Sequence, residues 1–216
     1  APTWVLCALA QSEKIDQNTQ VTIYFRAYMN AKIILAANPI CSSVTQKLLC
    51  PDIDADWGIQ SALAGNQHCH ADIQKILIAH PTKLDTVLNL LANNPACIAD
   101  IQKMAVEHQD KWIRYRLAEN QNLKEQFQLI LAKDAEEDVR KSLARNPSCT
   151  EKVQLILSKD TERYVYQTLA ENKNCTETVQ FYLATHSDDY VRQCLAKNQG
   201  CLLSVQKILA KDTDRN

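Results

Sequence analysis

The stretch Leu143-Ala144-Arg145-Asn146-Pro147-Ser148-Cys149 returns in altered form along the entire chain, and that recurrence decides the fold. The phrase Leu-Ala-x-Asn ends at Asn38, Asn66, Asn94, Asn120, Asn146, Asn172 and Asn198, with Ser12 closing a degenerate first copy. From Ser12 onward these markers lie 26, 28, 28, 26, 26, 26 and 26 residues apart. With each marker as position zero, a Leu three before and an Ala two before are present in all eight copies, Leu9 and Ala10 through Leu195 and Ala196. A Gln eight after the marker is equally regular: Gln20, Gln46, Gln74, Gln102, Gln128, Gln154, Gln180 and Gln206. A period of this length is the signature of stacked supersecondary units.

Each copy divides into two helices. Ser148 with Glu151, Asn174 with Glu177 and Asn122 with Glu125 have capping-box spacing, which predicts a second helix starting near position two. Its apolar residues at positions 3, 7, 10 and 11, as in Cys149, Val153, Ile156 and Leu157, form a helical stripe. Asp134 with Glu137 predicts the cap of the first helix, which runs through Val139, Leu143 and Ala144 to Asn146. Asn suits the left-handed position just past a helix, and Pro39, Pro95 and Pro147 follow three of these markers. A helix pair of this size cannot bury its own apolar face, whereas a stack can. The expected architecture is therefore an all-α solenoid of eight 26–28-residue helix-pair repeats, forming one repeat domain over residues 1–216. The two longer copies place their extra residues around Pro51 to Trp57 and Pro81 to Asp85.

Composition agrees. Three glycines, six prolines and 6% aromatic residues argue against a β-rich fold and against a Gly-rich phosphate loop. A formal net charge of −1 gives no global attraction to nucleic acid or anionic lipid. No run approaches the roughly 18 apolar residues of a membrane span, and the opening lacks the basic start and apolar core of a secretory signal. The expectation is a cytoplasmic protein with no membrane association.

The string Val191-Arg192-Gln193-Cys194-Leu195-Ala196-Lys197-Asn198, together with Val139-Arg140 and Ile113-Arg114, resembles the leucine-rich repeat variant, whose units read roughly D-x-x-x-V-R-x-x-[VL]-A-x-N-P. The likeness covers nearly the full length. Units two to four residues longer than the usual 24 of that family lean toward HEAT-like pairs of full α-helices. The resemblance implies a right-handed superhelix. One member of the family carries an iron-sulfur cluster on an N-terminal Cys-rich segment; here Cys7 is the only cysteine before Cys41, so no cofactor is expected.

Candidate chemistry is sparse. Six of nine cysteines, Cys41, Cys69, Cys97, Cys149, Cys175 and Cys201, share one repeat position, where other copies have Ile15 and Leu123. Exchange with aliphatic residues marks a core position. The other three, Cys7, Cys50 and Cys194, are isolated and read as free thiols. His68, Cys69, His70 and His80 are dense in metal-binding side chains but lack the paired spacing of a zinc site. Asp52, Asp54 and Asp56 imitate the start of a calcium loop, yet Trp57 occupies its sixth position and Leu63 its twelfth. Aromatic and basic residues interleave at Trp112 to Arg116 and Tyr24 to Tyr28, a mixture that can stack on nucleic acid, although Ile113 and Leu117 belong to core columns. GxSxG, HExxH and GxxxxGK[ST] are all missing, so neither catalytic nor metal-binding residues are assigned.

Two columns invite a function. The Gln column falls inside the buried arc of the second helix and is expected to bridge neighbouring repeats. Position 9, opposite that arc, holds Val21, Lys47, Lys75, Lys103, Leu129, Leu155, Phe181 and Lys207. Three successive large apolar residues facing outward suggest an interaction surface. The sequence thus predicts a non-catalytic protein-protein interaction scaffold, binding a protein partner or a second copy through Leu129, Leu155 and Phe181, bordered by Lys103 and Lys207. The competing reading is a nucleic-acid-binding or enzymatic module on a HEAT-like solenoid, and nucleic acid is the less expected partner.

Overall fold

A computed structural model describes residues 1–52, 56–79 and 84–212. Among them the chain is all-helical, with sixteen α-helices, one short 3₁₀ turn at Cys50–Asp52 and no strand. The helices group into two compact units, Ala1–Ala105 and Val106–Asn216.

In the first unit, α1 (Thr3–Ala10), α3 (Met29–Ala37), α5 (Trp57–Gly65) and α7 (Leu84–Ala92) pack in succession. The intervening α2 (Gln17–Arg26), α4 (Ser43–Leu49) and α6 (Ala71–Ala79) pack against that row, and α8 (Ala99–Val106) is the last second helix. The second unit repeats the plan. Its first helices are α9 (Lys111–Ala118), α11 (Glu137–Arg145), α13 (Arg163–Glu171) and α15 (Asp189–Lys197). Its second helices are α10 (Glu125–Leu131), α12 (Glu151–Leu157), α14 (Glu177–Ala184) and α16 (Leu203–Leu209), again packed in sequence.

The core of each unit lies between its two rows. First helices contribute the −7, −3 and −2 positions, such as Val139, Leu143 and Ala144, all fully buried. Second helices contribute positions 7 and 11, such as Val153 and Leu157. The cysteine column is buried with its exchange partners Ile15 and Leu123, and all nine thiols are free. Cys194, expected to be an isolated thiol, is also buried, with its Sγ 3.6 Å from Glu171 Oε1.

Both turn expectations require correction. The second helices α12 and α14 begin at their Glu residues, and the preceding Thr150 and Thr176 make no side-chain cap. The Ser148 backbone instead donates to Asn146 Oδ1, which draws it into the turn. At the first helix Asp134 is not the cap: α11 follows Glu136, and Asp134 is committed to Arg114. Nor do the marker asparagines turn left-handed. Asn38, Asn66, Asn146, Asn172 and Asn198 are extended, near φ −65° and ψ 120° in Asn146 (φ −63°, ψ 123°), and no described residue has positive φ. Their conservation along the chain has a different cause, in their side chains.

Candidate functional site

Asn146 Nδ2 donates to Ala118 O at 2.7 Å and Asn120 O at 2.8 Å, both in the preceding repeat. Asn172 does the same to Ala144 O and Asn146 O, and Asn198 to Ala170 O and Asn172 O. Asn38, Asn66 and Asn94 form the equivalent ladder in the first unit. The Ala carbonyls belong to the last turn of a first helix, where no intrahelical donor remains, so the carboxamide satisfies what the helix end leaves open; the Asn carbonyls lie just past it and also accept the N–H three residues on, as Asn146 O does from Cys149.

The Gln column forms a second ladder. Gln154 Nε2 donates to Cys149 O at 2.9 Å in its own repeat and Asn174 O at 3.0 Å in the next, while its Oε1 accepts from Thr176 N. Gln128 and Gln180 repeat this pattern, as do Gln46 and Gln74 in the first unit. The helix starts that lack side-chain caps are therefore capped from the neighbouring repeat. Both polar columns are spent on internal bonds, apart from the exposed Gln206, which among the described residues makes only the bond to Cys201 O.

A third ladder escaped the sequence reading. Arg114 pairs with Asp134 at 2.6 and 3.0 Å, Arg140 with Asp160 at 2.7 and 3.1 Å, and Arg192 with Asp212, each twenty residues on. Hydrogen bonding to the aspartate raises the pKa of Arg114 and Arg140. Each arginine also donates to a carbonyl of its own preceding turn, His108 O, Asp134 O or His186 O. Lys32 and Asp52 form the counterpart in the first unit at 2.8 Å. At the corresponding positions, Tyr166 of α13 and His186 just after α14 pack with ring centroids 4.7 Å apart and planes tilted by 40°. The Arg114 and Arg140 guanidinium groups, expected in part as candidates for nucleic-acid contact or as family markers, are thus structural.

The metal-like residues do not converge. Cys69 is in the core, His68 donates its backbone N–H to Asn66 Oδ1, and His70 is exposed with Nδ1 3.6 Å from Asp72. Asp52 is paired with Lys32; Asp54 and His80 lie outside the described residues.

The proposed contact residues are surface residues of the second helices. In the second unit Leu129 and Leu155 are half-buried, Phe181 is 38% exposed, and Lys207 is exposed. Lys103 is exposed on α8, which closes the other unit. One expectation fails: position 10 is not core. Ile130 is 52% exposed, Tyr182 and Ile208 are also exposed, and Ile156 is half-buried. The buried arc is centred on positions 7, 8, 11 and 12, because the internally bonded Gln at position 8 rotates the helix inward on that side; position 10, at 100° per residue, then turns out beside position 9. The apolar strip is accordingly two residues wide on α10, α12 and α14, as Leu129-Ile130, Leu155-Ile156 and Phe181-Tyr182.

No described helix is long and apolar enough to cross a membrane. No family model matches the chain, and neither a curated protein nor a solved structure matches it.

Proposed function

We propose that the chain is a non-catalytic, cytoplasmic protein-binding scaffold, an α-solenoid of eight repeats with the right-handed superhelix its resemblance to leucine-rich repeat variant and HEAT-like proteins implies. The strip Leu129-Ile130, Leu155-Ile156 and Phe181-Tyr182 holds a protein partner or a second copy of the chain. A single observation carries this reading: three successive packed helices leave paired large apolar residues at the surface, Ile130, Phe181 and Tyr182 exposed and Leu129, Leu155 and Ile156 half-buried, where isolated ones would be unremarkable. The ladders beneath explain how the strip stays exposed, since they fix each second helix with its Gln inward.

The test is the triple variant Leu129→Ser, Leu155→Ser, Phe181→Ser. Burial of such side chains at an interface is worth about 1.5 to 3 kcal/mol each before ordering costs. Sedimentation and partner capture should both weaken, while the half-buried Leu129 and Leu155 lower the unfolding free energy by only about 1 kcal/mol. Unchanged association would leave the strip as idle surface, and a loss above about 4 kcal/mol would make it core.

A further inference from the structure

The opposite, first-helix face of the second unit carries a depression of about 420 Å³ between α11, α13 and α15. Its lining includes Lys141, Arg145, Tyr164, Gln167, Thr168 and Tyr190. We infer that it binds a short extended segment of an acidic peptide.

The floor is the primary observation. Gln167 is 6% exposed, and its Nε2 is buried with no hydrogen-bond partner. A buried donor left open is costly, and it is filled when a ligand carbonyl arrives. Thr168, equally buried, spends its hydroxyl on Tyr164 O at 2.7 Å, so it is not available for the same task. Gln167 is therefore the one floor residue with an unmet donor among those described.

The walls supply charge and flat surfaces. Lys141 Nζ lies 5.4 Å from the centroid of the Tyr164 ring, and Arg163 Cζ lies 5.4 Å from that of Tyr190. Arg163 is already paired with Asp188 at 3.0 Å, whereas neither Lys141 nor Arg145 makes an ion pair among the described residues. Glu171, also at the rim, accepts from the Cys194 thiol. Two uncommitted cations beside two exposed tyrosine rings and a buried amide donor match a carboxylate side chain, an apolar stem and a peptide carbonyl.

Nucleic acid fits less well. A phosphate track needs cations in succession along the repeats. Here α11 also carries Glu137 and Asp138 and α15 carries Asp189, and Asp138 takes the helix position that Tyr164 and Tyr190 hold in the next two repeats. The site is one bounded spot rather than a track. It lies on the face opposite the apolar strip, and the two stand or fall separately.

Fluorescence polarisation of the full chain with capped, labelled peptides of alternating Glu and Leu, Gln and Leu, or Lys and Leu tests this, with a short oligothymidylate of equal charge as competitor class. The acidic peptide should bind saturably, at least about tenfold tighter than the neutral one, and weaken with salt. Lys141→Ala with Arg145→Ala should cost about tenfold. Gln167→Met should also weaken the acidic peptide while leaving the melting temperature unchanged or higher, because no bond is lost in the free protein. A lowered melting temperature in Gln167→Met would assign the amide to the fold and overturn the proposal. So would no saturable peptide binding up to about 1 mM, binding indifferent to these variants, or tighter binding of the oligothymidylate.

Discussion

The two turns of each repeat solve the same problem with different freedom. The inner turn, between the helices of a pair, uses Asn in every copy but the first and Gln in all eight. The outer turn, between pairs, uses Arg with Asp three times in the second unit and Tyr with His once. The difference lies in how many bonds one side chain must make. The buried Asn146 donates twice and accepts once, and Asp has no donor, Gln a longer reach, and Ala neither. At the outer turn the essential task is one acceptor for the N–H two residues on: Asp134 Oδ1 serves Glu136, Asp160 Oδ1 serves Glu162, and His186 Nδ1 serves Asp188. Imidazole and carboxylate both do that. Only the carboxylate also pairs with a guanidinium, so the histidine is accompanied by a tyrosine.

The bluntest attack on the inner turn is alkali. Burial pushes the thiols of Cys41, Cys69, Cys97, Cys149 and Cys175 up to about 12 from the ordinary 9.0. Below pH 9 both folded and unfolded chains keep these protons, and stability is fully present. Between pH 9 and 12 the unfolded chain releases them while the folded chain does not, so stability falls by up to about 1.4 kcal/mol per pH unit for each thiol. Denaturant titrations at pH 8, 9 and 10 should show a plateau and then a decline; a flat profile through pH 10 would place the column at the surface.

Next in size is Asn146→Ala, which removes two buried hydrogen bonds and one part-buried one and should cost about 3 kcal/mol by denaturant unfolding. Gln128→Ala leaves Leu123 O, Ser148 O and Thr150 N, of which part regains water, and should cost about 1 to 3 kcal/mol. The smallest effects belong to the outer turn. Tyr166→Arg or His186→Asp alone should lose about 1 kcal/mol, and both together should return to within about 0.5 kcal/mol of the parent by recreating the pair seen at Arg140 and Asp160. Additive losses in that cycle would show that the two turns are equally constrained.

Much of this was legible in the sequence. The helix pairs, the buried cysteine column and the bridging Gln column all follow from exchange patterns and period. The caps were misread because Ser148 and Glu151 have the spacing of a local capping box, while the actual cap is Gln128 from the preceding repeat, an interaction that no local motif encodes. Position 10 was misplaced because an arc that holds positions 7, 8, 10 and 11 together is too wide; with Gln154 bonded inward it centres between positions 8 and 11, and Ile156 turns toward its edge. The outer-turn ladder left a signal that could have been found, namely Arg or Lys with Asp at a separation of twenty residues, replaced jointly by Tyr166 and His186. Gln167 left none, since an unmet buried donor exists only in three dimensions.

The most direct measurement is hydrogen exchange at the side-chain amides of the ¹⁵N-labelled protein. With the ladders in place, Nδ2 of Asn146 and Asn172 and Nε2 of Gln154 and Gln180 exchange at least about a hundredfold more slowly than the exposed Gln121 and Gln126. Exchange of the ladder amides at the rate of Gln121 and Gln126 would contradict the claim that these carboxamides hold the repeats together.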